Sequence, residues 1–467
     1  MMDTVLGAII ASMTHFIIGT IIGLPAVTLT ELTNPETTDI FLNTSQVALF
    51  SSIIHIGAAM GSLIAGAMNL RLGQRVTLLL TLPATLLLWI ILAFSPAVWM
   101  VLLVRAFLGA AQGFIGAASS NYVVEIADSN MRGRLSGIID TCRQIGFLLV
   151  YVIGTFNLTW RQISVVCGCV TCIPPFIGLF FLPNSPRWLV TRGRIEEAEK
   201  AFTFYRGSHF DVRPELKSVI NQFENTTANK TSVREQFHQM LQPGVYPRFI
   251  LLAFLMFVVH FTGNIAIATF VVPIFQAANA QLDPYASAVL IGSFRVAGTI
   301  AFLLIVDHVG RRTALLFSSA ACTTSLVALG AYFYLQNGNK DVTSVSWLPL
   351  TSLLFYTPFV CAIQAVTSLL RGEILPTALR ALGASIMYVV FFTGMFASTQ
   401  TFPEMITATG EEGAFWVFGG CCVLMAVVVA ITLPETKGLS LEQIDDLFRS
   451  QNQESLKKLQ SFESKVP

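Results

Sequence analysis

The chain has 467 residues, of which 54% are hydrophobic and 12% charged, against about 25% charged in ordinary soluble domains. That balance excludes a water-soluble globular protein, and a net charge of +1 with no basic stripe excludes a nucleic-acid partner. Dividing the apolar residues by the roughly 20 needed to cross a hydrocarbon core of about 30 Å leaves room for about a dozen membrane helices with short connections.

In chain order, the first apolar run covers residues 5 to 29. No basic, cleavable leader precedes it, so it reads as a retained span rather than a signal peptide. A window of about 19 residues then gives spans near 45 to 69, 75 to 94, 97 to 122, 136 to 156 and 161 to 182. A polar stretch runs from Pro183 to Pro247. Six further spans lie near 248 to 276, 284 to 306, 312 to 335, 345 to 371, 381 to 402 and 413 to 433, before a polar tail. The expected architecture is an all-α polytopic membrane protein of twelve transmembrane helices. It divides into a six-helix bundle over 1–182, a cytoplasmic loop with amphipathic helices over 183–247, a second six-helix bundle over 248–433 and a cytoplasmic tail over 434–467. Within the loop, Ile195, Ala198, Ala201 and Phe202 recur at helical spacing beside charged residues. This segment either lies against the cytoplasmic mouth or links the two halves as a solvated helix.

Short loops retain Lys and Arg on the cytoplasmic side. Arg71, Arg75, Arg132, Arg134, the middle loop from Arg187 to Arg248, Arg311, Arg312, Arg380 and the tail from Lys437 all fall on one set of alternate connections. The other set carries Arg161 and Lys340 against Glu31, Glu36, Asp39, Asp283, Asp341, Glu404, Glu411 and Glu412. Both termini are therefore predicted cytoplasmic. Asn43, in an Asn-Thr-Ser sequon on the first outside loop, is the glycosylation candidate; Asn225 and Asn229 fall on the cytoplasmic side. The eight cysteines, Cys142, Cys167, Cys169, Cys172, Cys322, Cys361, Cys421 and Cys422, sit in apolar runs and read as buried small hydrophobes, with no disulfide or metal framework. No nucleophile–base constellation or metal-ligand spacing appears, so neither an enzyme nor a cofactor is expected.

Transporter folds are commonly built from repeats around a midplane site. One repeat is visible: Asn69-Leu70-Arg71-Leu72-Gly73-Gln74-Arg75 after the second span and Asp307-His308-Val309-Gly310-Arg311-Arg312 after the eighth. Each sets a glycine, which lets a tight turn close, among basic residues that anchor it. Further motifs follow in order. They are Glu125 with Arg132-Gly133-Arg134, Pro183-Asn184-Ser185-Pro186-Arg187-Trp188-Leu189, Gly372-Glu373-Ile374-Leu375-Pro376 with Arg380, Gly413-Ala414-Phe415-Trp416, and Pro434-Glu435-Thr436-Lys437-Gly438. With these the sequence resembles the sugar porter family of the major facilitator superfamily from Met13 to Leu447. Within it, the chain is most similar to the arthropod facilitated trehalose transporter group.

The resemblance implies a facilitative carrier of a hexose or trehalose-like sugar working by alternating access, with plasma membrane as the family default. A carrier of another polar or charged organic solute, and a transporter-like sensor that binds without translocating, remain open. The resemblance also implies cytoplasmic gate charges: Arg75, Glu125, Arg132 and Arg134 in the first half, and Asp307, Arg311, Arg312, Glu373 and Arg380 in the second. Glu125 and Arg134 should pair with Arg75 and its neighbours, and Arg105 should be structural.

The central site departs from the family pattern. The seventh-span glutamine pair falls on Val259 and His260, the following asparagine on Ile265 with Asn264 one place earlier, and the gating tyrosine on Phe270. The tenth-span tryptophan falls on Ser368, the eleventh-span Asn-Trp on Phe391 and Phe392, and the fifth-span glutamine on Asp140. Ionisable groups at membrane depth face a cavity or a partner by default. Asp140, Gln144, His260, Asn264, Arg295, Phe391 and Phe392 are accordingly the candidate substrate-binding residues, for a solute more polar or charged than glucose. Asp140 and Arg143, three apart on one helix, could instead neutralise each other. His15 and His55, alone on apolar faces, read as structural. The first span holds no acid that could titrate, so facilitated diffusion is favoured, with Asp140 the one intramembrane carboxylate against it.

Overall fold

The computed structural model describes residues 2–435, Lys437 and Gln443, apart from 37–38, 128–131, 208–209, 229–232, 243–244, 280–281 and 376–378. The side chains of 2–3, 132–134, 136, 225–228, 233, 306–307 and 380–381 also lie outside the description. The side chains of Arg132, Arg134, Asp307 and Arg380 are therefore outside the described set, as are those of Asn225 and Asn229.

The first half comprises α1 (Met2–Met13), α2 (His15–Leu32), α3 (Thr44–Leu72), α4 (Gln74–Ala93), α5 (Val98–Ile126), α6 (Arg132–Gly154) and α7 (Trp160–Phe180). Four shorter helices follow: α8 (Pro186–Thr191), α9 (Ile195–Arg206), α10 (Arg213–Ala228) and α11 (Val233–Met240). The second half comprises α12 (Tyr246–Val258), α13 (Asn264–Thr269), α14 (Val271–Ala277), α15 (Pro284–Val309), α16 (Arg311–Asn337), α17 (Leu348–Ile374) and α18 (Arg380–Thr432). No strand occurs among the described residues. Among the described residues, eleven stretches are long and apolar enough to span a membrane, and the last, Leu382–Thr432, has the length of two. The expected turn between the eleventh and twelfth spans is reduced there to a kink at Gly410, whose φ of 75° breaks the helical path.

Local chemistry fixes the helix starts. Asn43 and Gln46 exchange side-chain and backbone bonds of 2.9 and 3.0 Å at the head of α3, a capping box that satisfies two orphan donors. The Asn43 oxygen is the capping atom, which leaves its amide nitrogen outside that bond. Thr159 and Gln162 repeat the device at α7, and Asp283 caps α15 ahead of Pro284.

Helices then pack closely where side chains vanish. A methyl group on Gly57 or Gly109 would strike the Ala106 or Ile54 carbonyl across the α3–α5 crossing, so these backbones touch as in small-residue membrane interfaces. The repeat seen in sequence is also a repeat in conformation: Gly73 has φ 84°, ψ 157° and Gly310 φ 87°, ψ 150°. A belt of exposed apolar side chains, including Leu63, Leu87, Phe107, Phe180, Leu304 and Ile431, clothes the outside. Water would penalise that belt and lipid would not.

The loop helices α8, α9 and α10 are docked, not loose. Trp188 donates to the Leu70 carbonyl at 3.2 Å and its ring covers Gly73, while Arg206 joins Glu215 at 2.8 Å and the Ile126 carbonyl at 2.9 Å. Ala198, Ala201 and Phe202 are buried as their spacing suggests, but Ile195 is exposed.

Candidate functional site

The seventh span, read from sequence as one run, is broken twice. The α-helical path ends at Val258, a 3-10 turn covers Val259–Thr262, Gly263 adopts a left-handed φ of 90°, and a second interruption falls at Phe270. Breaking a helix inside a bilayer frees backbone groups that must find partners. Here neighbouring helices supply them. Tyr356 Oη donates to the Thr262 carbonyl at 2.8 Å, Ser398 Oγ to the His260 carbonyl at 2.7 Å and Tyr151 Oη to the Ala268 carbonyl at 2.7 Å. Discontinuous helices at mid-depth are where transporters place their solute sites.

A polar chain runs across this break. From the middle of α15, Arg295 donates through Nε to Gln144 Oε1 on α6 at 3.0 Å and through Nη2 to Asn264 Oδ1 on α13 at 2.9 Å. Asn264 Nδ2 in turn donates to Gln364 Oε1 on α17 at 2.8 Å. All four side chains are buried, none more than 5% exposed. The Arg295 guanidinium lies 5.2 Å from the Phe147 ring centre, a cation–π distance. Gln144 belongs to the first bundle and the other three to the second, so the chain ties the bundles at mid-depth.

The structure thus brings Arg295, Gln144 and Asn264 together. His260 lies on the 3-10 turn just before Asn264, its ring 4.4 Å, edge-on, from Phe391. Neither of its ring nitrogens has a hydrogen-bond partner among the described residues. Phe392 packs edge-on to Phe391 at 5.7 Å. Asp140 stands apart from the chain: it pairs with Arg143 at 2.7 Å, one turn along α6 from Gln144. The residue that sequence reading passed over is Gln364. It is the one amide in the apolar α17, and that isolation was its signal. Ser368 merely back-bonds to the Gln364 carbonyl at 3.0 Å.

The charged clusters on the basic-loop face differ between the halves. Arg311 meets Glu373 at 3.1 Å, and Glu435 accepts the Arg311 and Arg312 backbone amides at 2.8 and 3.1 Å. Arg312 Nη2 donates to the Ala430 carbonyl at 2.7 Å. In the first half, Arg75 donates to the Leu179 and Phe180 carbonyls at 2.9 and 3.0 Å, instead of pairing with Glu125. Glu125 accepts from Gln74 at 2.7 Å and from Ser185. The reason is chemical: Gln74 stands beside the acid with a neutral donor within reach, and the Arg75 fork is spent on helix-end carbonyls that attract cations. Arg105 is enclosed by the Phe50 and Ile21 carbonyls at 3.1 and 2.7 Å.

On the opposite face the bundles are tied again. Ser52 Oγ donates to Gln400 Oε1 at 2.6 Å and Thr30 Oγ1 to Gln276 Oε1 at 3.3 Å. At Gly154 the helices α2, α6 and α15 converge, because an added methyl would meet Val27 and Tyr285.

The family model described as "Sugar (and other) transporter" matches residues 4–448. A facilitated trehalose transporter, Tret1, of Polypedilum vanderplanki is 30% identical over 442 residues, covering 94% of this chain and 87% of the relative. The Tret1 of Culex quinquefasciatus is 32% identical over 394 residues, covering 84% and 75%. Among solved structures, the xylose transporter XylE from E. coli in a partially occluded inward-open conformation superposes with a TM-score of 0.77 at 18% identity, over 94% of this chain and all of that one.

Proposed function

The chain belongs to the sugar (and other) transporter family, and from that premise we propose that it carries a sugar across a membrane by facilitated diffusion, the solute binding at the Arg295–Asn264 chain. The observation that carries this reading is the broken seventh span: unwound backbone and buried side-chain amides meet at mid-depth between two bundles. Amides and hydroxyl-satisfied carbonyls suit a solute that is itself a ring of hydroxyls.

Alternating access requires the bundles to rock about this site, with different contacts stabilising each end state. In the present conformer the acidic-loop face is tied by Ser52–Gln400 and Thr30–Gln276. Asp140 lies one turn below buried Gln144 on the same face of α6, yet its side chain is 40% exposed. Water therefore approaches the site from the basic face. In this reading the basic face is cytoplasmic, residues 183–247 and 434–467 lie there, and the bundles are 1–182 and 248–433. The conformer faces inward in the plasma membrane.

Purified protein reconstituted in liposomes tests the proposal. Counterflow of labelled trehalose or glucose should be seen, and an imposed pH gradient should not drive accumulation. Proton-driven accumulation would reject facilitated diffusion, and absence of any sugar exchange by monodisperse protein would reject the carrier.

A further inference from the structure

Arg295 is a full positive charge at the middle of a membrane helix, 2% exposed. Its bonds go to Gln144 and Asn264, both neutral, and to the face of Phe147. No carboxylate pairs with it among the described residues, and the one acid at comparable depth, Asp140, is already taken by Arg143. Less deeply buried cations fare differently: Arg143, Arg206 and Arg311 each meet a carboxylate. Arg105 is also buried without an acid, but backbone carbonyls inside one bundle enclose it, which makes it a strut. Arg295 instead sits where the two bundles meet, held by side chains that can let go.

A guanidinium taken out of water without a counter-ion is strongly disfavoured, and an anion that enters its site recovers much of that loss. Of five N–H donors, two are engaged by the amides. These aim the planar fork and leave three donors for a ligand. Bidentate pairing of such a fork with a carboxylate is the geometry it suits best.

We propose that the solute is an acidic sugar, a polyol ring bearing one carboxylate, whose charge is met by Arg295 while Asn264 and Gln364 take its hydroxyls. This rests on the carrier reading above and names the solute class for the same site.

The test uses the full chain in liposomes, with labelled D-glucuronate, D-glucose and trehalose as probes. Wild-type protein should exchange D-glucuronate, and unlabelled D-glucuronate should inhibit exchange of the neutral sugars. In Arg295→Gln the uptake ratio of glucuronate to glucose should fall at least about tenfold, the loss of a charge-assisted bond. Arg295→Lys, which keeps the charge, should hold the ratio within about threefold. If wild-type protein moves glucose or trehalose but neither moves nor is inhibited by glucuronate, the acidic-sugar assignment is wrong while the carrier stands. The assignment is equally wrong if Arg295→Gln leaves the ratio unchanged. If no sugar of either kind is exchanged, the carrier reading itself fails and takes the assignment with it. The wild-type competition needs no variant, so a poorly folding substitution does not block the answer.

Discussion

His260 is buried on the broken seventh span with neither ring nitrogen partnered among the described residues, and each buried unsatisfied polar group costs about 1–3 kcal/mol. Its edge-on contact with Phe391 returns only about 0.5–1.5 kcal/mol. His260→Leu should therefore raise the thermal transition of the solute-free protein while weakening sugar binding; a lowered transition would mean that ring packing dominates. Tyr356 presents the opposite case, because its hydroxyl satisfies the Thr262 carbonyl freed by the break. Tyr356→Phe should destabilise the fold by about 1–3 kcal/mol, measurable as a thermal shift. At this scale sequence was informative about residue type and silent about partner. An ionisable group in an apolar run announces itself, as Arg295 and Asp140 do. Whether Asp140 meets Arg143 depends on side-chain directions, which the sequence does not give; in the structure the two pair at 2.7 Å, with the Asp140 side chain 40% exposed.

Among the elements, the seventh span is the one on which the proposed carrier reading rests. Gly263, at φ 90°, is the hinge of its break, and an L side chain in that conformation costs about 1–2 kcal/mol. A methyl there would also press on Ile267 and Phe418. Gly263→Ala should lower stability by about 2 kcal/mol or more and slow exchange; unchanged thermal behaviour would show that the break relaxes. The gate clusters behave as separate elements too. Arg311–Glu373 is partly buried at the head of α16 and joins two helices of the second half. The resemblance assigns it to closing the cytoplasmic side, but it is intact in the conformer that the carrier reading takes as inward-facing, so it gives that state no disadvantage. Glu373→Gln should therefore lower the thermal transition and leave unchanged the labelling, from outside, of a cysteine placed near the outer mouth; lowered labelling would show that the pair opens during the cycle. The charge motifs were legible because they are contiguous and spaced by turn geometry. The break was not, because hydropathy over a window of about 19 residues averages across four residues of 3-10 helix.

For the whole molecule, the proposed carrier reading makes the ties on the acidic face one end of the transport cycle. Ser52→Ala removes the donor to Gln400, a loss of about 0.5–1.5 kcal/mol from the closed-outside state alone. That is a shift of roughly twofold to thirteenfold toward the outward-open population. Higher outside accessibility of an engineered cysteine would register it, and no change would place the closing contacts elsewhere.

Composition and hydropathy by themselves determined that this chain lives in a bilayer as twelve helical spans, because each span must bury its own backbone bonds and that requirement is local. The motifs determined the family and the tight repeated turns at Gly73 and Gly310, since a positive φ leaves its mark in a single residue. Only the tertiary structure decided which polar groups meet. The Gln144–Arg295–Asn264–Gln364 chain joins residues from four helices in two bundles, and its Arg–Gln contact spans 151 positions. Such a chain exists through packing, and no periodicity along one helix records which neighbour a side chain will find.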